Sequence, residues 1–140
     1  MTRTLVDTSA LSRGRTSKAV AGALADLVRG PNDQLVLTPV IRLELLYSAR
    51  SRAEHHANRV WFAAFPSLPM EGTEELALDL QERLFHAGKG RAAGVVDLLT
   101  AAAAILHRVV LVHYDSDFDH IASVDDRLRA RWIVPRGSAS

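Results

Sequence analysis

The chain of 140 residues contains no cysteine. A disulfide, a thiolate nucleophile and a cysteine-ligated zinc site are therefore excluded. Lysine is almost missing as well: Lys18 and Lys89 are the only two, and the other basic residues are arginines. The formal net charge is +1, so no bulk positive field announces a nucleic-acid binder. Arginine suits bidentate contacts to phosphate, yet an alanine- and arginine-rich composition follows equally from a GC-rich genome and carries little functional weight. Long apolar runs are also lacking. The longest, Ala101 to Leu106, is far too short to cross a bilayer. Asp7 interrupts the opening segment before a signal-type hydrophobic region can form. The expectation is a soluble, cytoplasmic chain with no membrane partner.

What is present is material for a core. Hydrophobic residues make up 48% of the chain, with two tryptophans and four phenylalanines, enough for one compact domain. Thr2 to Val6 reads as a short strand running into Asp7. Ser17 can cap a helix whose apolar face is Val20, Leu24, Leu27 and Val28, and Gly30-Pro31 stops it. Leu35 to Leu37 is a compact strand, and Thr38-Pro39 starts the helix that carries Glu44. Arg52 to Phe65 predicts another helix, and Ser67 to Met70 an edge strand confined by Pro66 and Pro69. Thr73 opens a helix with Leu76, Leu80 and Leu84 at four-residue spacing. From Asp97 to about His107 a helix apolar nearly all round should be central. Val109 to His113 is the clearest strand, and Arg131 to Val134 adds one more. Strands alternating with helices predict an α/β fold, a mainly parallel sheet covered on both faces.

Four segments carry acids to places such a sheet brings together: Asp7 after the first strand, Glu44 on the helix after the second, Asp97 at the start of the apolar helix, and Asp115 with Asp117 after the Val109 strand. Ligands of open α/β sheets bind at the carboxyl ends of strands, near a switch in strand order. Carboxylates gathered there repel one another and raise one another's pKa; a divalent cation removes the conflict, and an all-oxygen pocket suits Mg²⁺ or Mn²⁺. Each acid also has an ordinary reading. Asp7 before Thr-Ser can simply begin a turn, Glu44 can be a solvated helix position despite its leucine neighbours, Asp97 can be an N-cap, and Asp115 or Asp117 can be turn and cap residues before Phe118. Asp119, Asp125 and Asp126 read as surface acids.

Taken in order, Leu-Val-Asp7-Thr-Ser-Ala-Leu, Thr38-Pro-Val-Ile-Arg-Leu-Glu44-Leu-Leu, Val-Val-Asp97-Leu-Leu-Thr-Ala-Ala and His113-Tyr-Asp115-Ser-Asp117-Phe resemble the four motifs of the PIN-domain family, and more closely its VapC-like toxins. The resemblance implies a PIN-like three-layer α/β/α domain over residues 1–135, with 136–140 a frayed tail. It implies a Mg²⁺- or Mn²⁺-dependent endoribonuclease, the toxin of a toxin–antitoxin pair. Asp7, Glu44, Asp97 and Asp115 would be its catalytic, metal-holding acids and Asp117 a fifth acid of the metal site. Thr8 or Ser9 would lend a supporting hydroxyl. It further implies an RNA substrate, a cognate antitoxin whose tail blocks the site with a basic side chain, and a homodimer.

Substrate contacts are less defined. Arg13, Arg15 and Lys18 read equally as phosphate-steering groups or a solvated loop, and Arg50, Arg52, His55, His56 and Arg59 as a solvated helix face. His113 and His120 read as packed or supporting histidines rather than a general base. Two other functions compete. An Asp-dependent phosphatase would carry a second aspartate two residues after the first, where this chain has Ser9. A binding module would keep the fold and hold RNA or protein without cleaving.

Overall fold

Leu5 and Val6 are adjacent in the first strand and both fully buried. Successive strand residues face opposite sides, so both faces of this strand are covered. A computed structural model describes residues 2–139; Met1 and Ser140, which begin the expected domain and end the expected tail, lie outside them. Thr2–Val6 is β1, Asp33–Val36 β2, Val110–His113 β3 and Ala130–Trp132 β4. Among the described residues they form one sheet of order β2-β1-β3-β4, and every pairing is parallel. Leu5 sits in register with Val36 on one side and Leu111 on the other.

Parallel neighbours need crossovers. These are supplied by α1 (Thr8–Arg13), α2 (Lys18–Arg29), α3 (Pro39–Tyr47), α4 (Arg52–Phe62), α5 (Thr73–His86), α6 (Val95–His107) and α7 (Asp117–Val124). The result is the expected three-layer α/β/α architecture. Two helix starts follow from local chemistry. Ser17 Oγ accepts from the Val20 amide at 3.2 Å, and Thr38 Oγ1 accepts from the Ile41 amide at 3.1 Å, with Pro39 in the first turn. Caps of this kind contribute about 1 kcal/mol each. On α6, Ala101 to Ala104 are all buried, and α5 packs against it with Leu80 and Leu84. Among the described residues no helix is long and apolar enough to cross a membrane.

Several expectations need correction. The helix from Arg52 ends at Phe62, not Phe65; Phe65 lies in the following turn, its ring still 4.7 Å from that of Trp61. The edge strand at Ser67 shrinks to one parallel bridge between Leu37 and Ser67, because prolines on both sides limit the ladder. The α6 helix begins two residues before Asp97, and its ends are not buried: Val95 is 69% and Leu106 44% exposed. Asp125 is not a surface acid. It is 5% exposed, and its carboxylate accepts from Arg127 Nη2 at 2.6 Å and from the Arg127 amide at 3.0 Å, which holds its pKa below the usual carboxylate value. Two further helices appear: α1, where Asp7 was read as beginning a turn, and α7, where Asp115 or Asp117 was read as a turn or cap residue before Phe118. At the C-terminal end, the amides of Gly137 and Ala139 donate to Tyr114 Oη at 2.9 and 3.1 Å.

Candidate metal centre

The chain leaves β1 and β3 at adjacent points of the sheet but continues to opposite sides, since β2 flanks β1 and β4 flanks β3. This is the switch point at which parallel sheets open a crevice. Asp7 follows β1 and caps α1, its Oδ2 accepting from the Ser9 amide at 3.0 Å. Its Oδ1 is buried without a partner. Burial, and next the charge of Glu44, push the Asp7 carboxyl above its ordinary pKa, against the pull of the Ser9 hydrogen bonds.

Asp97 reaches the crevice from the third position of α6. It is not the N-cap: Gly94 is, and the Gly94 amide donates back to Asp97 Oδ2 at 3.3 Å. Asp115 and Asp117 come from the turn after β3. Carboxylate oxygens of Asp97, Asp115 and Asp117 all lie within 4.8 Å of one another. The Asp97 pKa is pushed up to about 7, first by burial, then by a hydrogen bond with Asp117, then by the charges of Asp7 and Asp115. Glu44 occupies an exposed position on α3, and the leucines beside it divide: Leu45 and Leu46 enter the core while Leu43 is 68% exposed. All five predicted acids thus share one electrostatic neighbourhood. Asp97, Asp115 and Asp117 form its tight centre, so Asp117 stands with the innermost acids rather than behind Asp115.

The chemistry of this donor set fits a hard divalent ion. Every donor is a carboxylate oxygen, the trio has the right spacing, and Asp7 offers an oxygen to which the protein gives no hydrogen bond. Without a counter-charge these buried acids are held at a cost, set first by burial and then by the charges of their neighbours, and both raise the pKa of Asp7 and Asp97.

The supporting residues were only partly foreseen. Of the two hydroxyls after Asp7, Ser9 is the one engaged: its Oγ accepts from the Tyr114 amide at 2.9 Å across 105 positions of sequence. Thr8 Oγ1 is buried without a partner. His113 is fully buried and packed against Phe118 and Trp132; burial lowers its pKa. Asp119 is exposed and accepts from Trp132 Nε1 at 3.2 Å, and Asp126 is exposed too. Arg13 lies over the Tyr114 ring at 5.0 Å. Arg50, Arg52, His55, His56 and Arg59 are all exposed, on or beside α4. No local pattern signals the Ser9 and Arg13 contacts, because both join α1 to a turn at the far end of the chain.

A parallel sheet of this order, with acids from four separate elements at its switch point, defines the class. The chain belongs to the PIN-domain family, whose PIN domain pattern matches residues 4–124. Within the family it resembles VapC proteins. It is 36% identical to Ribonuclease VapC51 of Mycobacterium tuberculosis over 135 residues, 96% of this chain and 95% of that protein. It is 33% identical to Ribonuclease VapC18 of the same organism over 137 residues, 95% of this chain and 96% of the relative. Among solved structures, VapBC2 from Rickettsia felis, bound to a DNA fragment from its promoter, matches with a TM-score of 0.73 at 15% identity, covering 93% of this chain and 98% of that one. VapBC-1 from nontypeable Haemophilus influenzae matches with a TM-score of 0.73 at 21% identity, covering 94% and 98%. At such identities the structural matches speak for the fold.

Proposed function

We propose that this chain is a metal-dependent endoribonuclease that hydrolyses RNA phosphodiester bonds in the cytoplasm as the toxin of a toxin–antitoxin pair. The observation that carries the reading is the meeting of Asp97, Asp115 and Asp117 within 4.8 Å, beside a buried Asp7 whose Oδ1 is unpaired. The names of the relatives, Ribonuclease VapC51 and Ribonuclease VapC18, supply the reaction class.

Asp7, Asp97, Asp115 and Asp117 would hold Mg²⁺ or Mn²⁺, with Glu44 completing the acidic wall from α3. When bound, such an ion supplies positive charge against a phosphate oxygen and acidifies a water for attack. The protein's part is preorganisation. The Ser9 amide fixes Asp7 Oδ2 and leaves Oδ1 directed elsewhere. The Gly94 amide holds Asp97 Oδ2, and the Asp117 amide holds Asp115 Oδ1 at 2.9 Å. Burial, the hydrogen bond with Asp117 and the charges of Asp7 and Asp115 favour the protonated form of Asp97, which lets the carboxylates stay together before a cation arrives. Arg13, placed against Tyr114, would meet the RNA backbone at the rim, where contacts position rather than specify.

The reading extends to partners. Leu78 on α5 and Val95 on α6 are exposed apolar residues lining one shallow groove, a surface that suits a homodimer. An apolar groove of about 430 Å³ between α1, α2 and α4, lined by Leu24, Val28 and Trp61 with Arg15 and Arg29 among its residues, suits an amphipathic antitoxin helix.

The test is RNA cleavage by the purified chain with Mg²⁺ or Mn²⁺, then with chelator, beside Asp97→Asn. Metal-dependent cutting that the variant lacks supports the nuclease and the site together. Equal behaviour of wild type and variant over a broad RNA panel would sink the nuclease and leave a binding module.

A further inference from the structure

We propose that His113 is a positioning residue, whose Nδ1 fixes the main chain of the turn that presents Asp115 and Asp117. The inference rests on the metal-site reading above. His113 ends β3, fully buried, with its ring 5.0 Å from that of Phe118 and 5.1 Å from that of Trp132. Between these walls the imidazole cannot swing away. Its Nδ1 accepts from the Asp115 amide at 3.1 Å.

The same contact recurs two residues on, where Asp115 Oδ1 accepts from the Asp117 amide at 2.9 Å. The amide of Tyr114 is held by Ser9 Oγ, and that of Phe118 by the Asp115 carbonyl at 3.3 Å. Four of the five amides from 114 to 118 therefore have named partners. Asp115 Oδ1 takes part in this framework, which fixes the orientation of the carboxylate that meets Asp97 and Asp117.

Nδ1 can accept only when the ring proton sits on Nε2. Yet Nε2 is buried and has no partner. A buried donor without an acceptor is unfavourable, and an aliphatic side chain of similar volume would fill the space without that cost. Packing alone thus argues against histidine here. The acceptor at Nδ1 argues for it, since it stands one bond beyond Cγ, where an asparagine Oδ1 stands in an Asx-turn.

Two substitutions separate the roles. His113→Asn keeps an acceptor on Cγ and loses ring volume; His113→Leu keeps volume and loses the acceptor. The probe is Mn²⁺ alone, its binding to the full chain followed by the loss of the free-ion paramagnetic resonance signal. The expected result is His113→Asn within about twofold of wild-type affinity and His113→Leu about tenfold weaker, the size of effect that supports of ligating carboxylates show. A packing role gives the opposite order, because leucine suits the apolar site better than asparagine does.

If wild type binds Mn²⁺ and His113→Leu binds it equally well, the positioning role is overturned while the metal site stands. If wild type fails to bind Mn²⁺ at millimolar concentration, the metal reading falls and this one with it. Should His113→Leu not fold, ¹⁵N resonance of the wild-type imidazole still decides. The Nε2-protonated tautomer is expected, and a proton on Nδ1 overturns the proposal.

Discussion

Asparagine at position 97 keeps the size of the side chain and an oxygen for the Gly94 amide, and removes one negative charge from the cluster. In the metal-free protein that charge is a burden. Burial, the hydrogen bond with Asp117 and the charges of Asp7 and Asp115 move the Asp97 pKa from 3.8 to about 7. At 1.36 kcal/mol per pH unit, the displacement corresponds to a ceiling of about 4 kcal/mol. Asp97 retains some contact with solvent, and it is one of several interacting carboxylates. The realised effect should be roughly half the ceiling, about 2 kcal/mol.

The direction follows from proton linkage. The folded chain holds the Asp97 proton up to about pH 7, whereas the unfolded chain releases it near 3.8. Across that window folding takes up a proton, so wild-type stability falls as pH rises and the loss is complete above the folded pKa. Asp97→Asn has no such proton. With chelator present, it should match wild type at about pH 4 and exceed it at about pH 8 by about 2 kcal/mol, or about 6 °C in Tm for a chain of this size. Urea titration followed by tryptophan fluorescence at several pH values reads this directly. Adding Mg²⁺ should raise wild type more than the variant and narrow the gap. Equal midpoints at pH 8 in chelator, or a less stable variant, would refute the account of a mutually repelling cluster.

Two further outcomes follow from the structure. Ser9→Ala removes the acceptor of the Tyr114 amide, leaving a part-buried donor unpaired. A loss of about 1–2 kcal/mol is expected by denaturant titration, together with weaker Mn²⁺ binding because α1 and the Asp115 turn come apart. Arg108, which ends α6, has φ at 54°, the only non-glycine among the described residues with positive φ. Arg108→Gly should therefore stabilise the chain by about 1 kcal/mol, read as a raised urea midpoint, with metal binding unchanged.

How far the sequence reveals the molecule depends on the range of the physics involved. Strands β1 and β3 are short and rich in β-branched and aliphatic residues, and α2 and α3 carry their caps at Ser17 and Thr38; all of this is local and legible. The helices α1 and α7 span six and eight residues, too short to be stable by propensity. They exist because Ala10 and Phe118 are buried against the rest of the fold, which no window of sequence displays. Asp125 misled for a related reason. In the run Asp125-Asp126-Arg127-Leu128-Arg129 the charges suggest a solvated loop, but Leu128 is drawn into the core and takes Asp125 with it, paired to Arg127.

The candidate site shows the same division. Its acids could be picked out one by one, since each follows a strand or lies on a helix in a recognisable setting. Their mutual arrangement could not, because it is set by β1 and β3 lying side by side although more than a hundred residues separate them. That adjacency forces Asp7 and the Asp115 turn onto one crevice, and Ser9 ties the two together. Burial of the carboxylates and then repulsion among them work against this assembly, and both raise the Asp97 pKa. The parallel core, with Leu5, Val6, Leu111 and Val112 all fully buried, must supply the stability that holds them there. Asp7 Oδ1, buried with nothing donating to it, marks where the fold stops short of satisfying its own site, and it is there that the proposed cation would complete it.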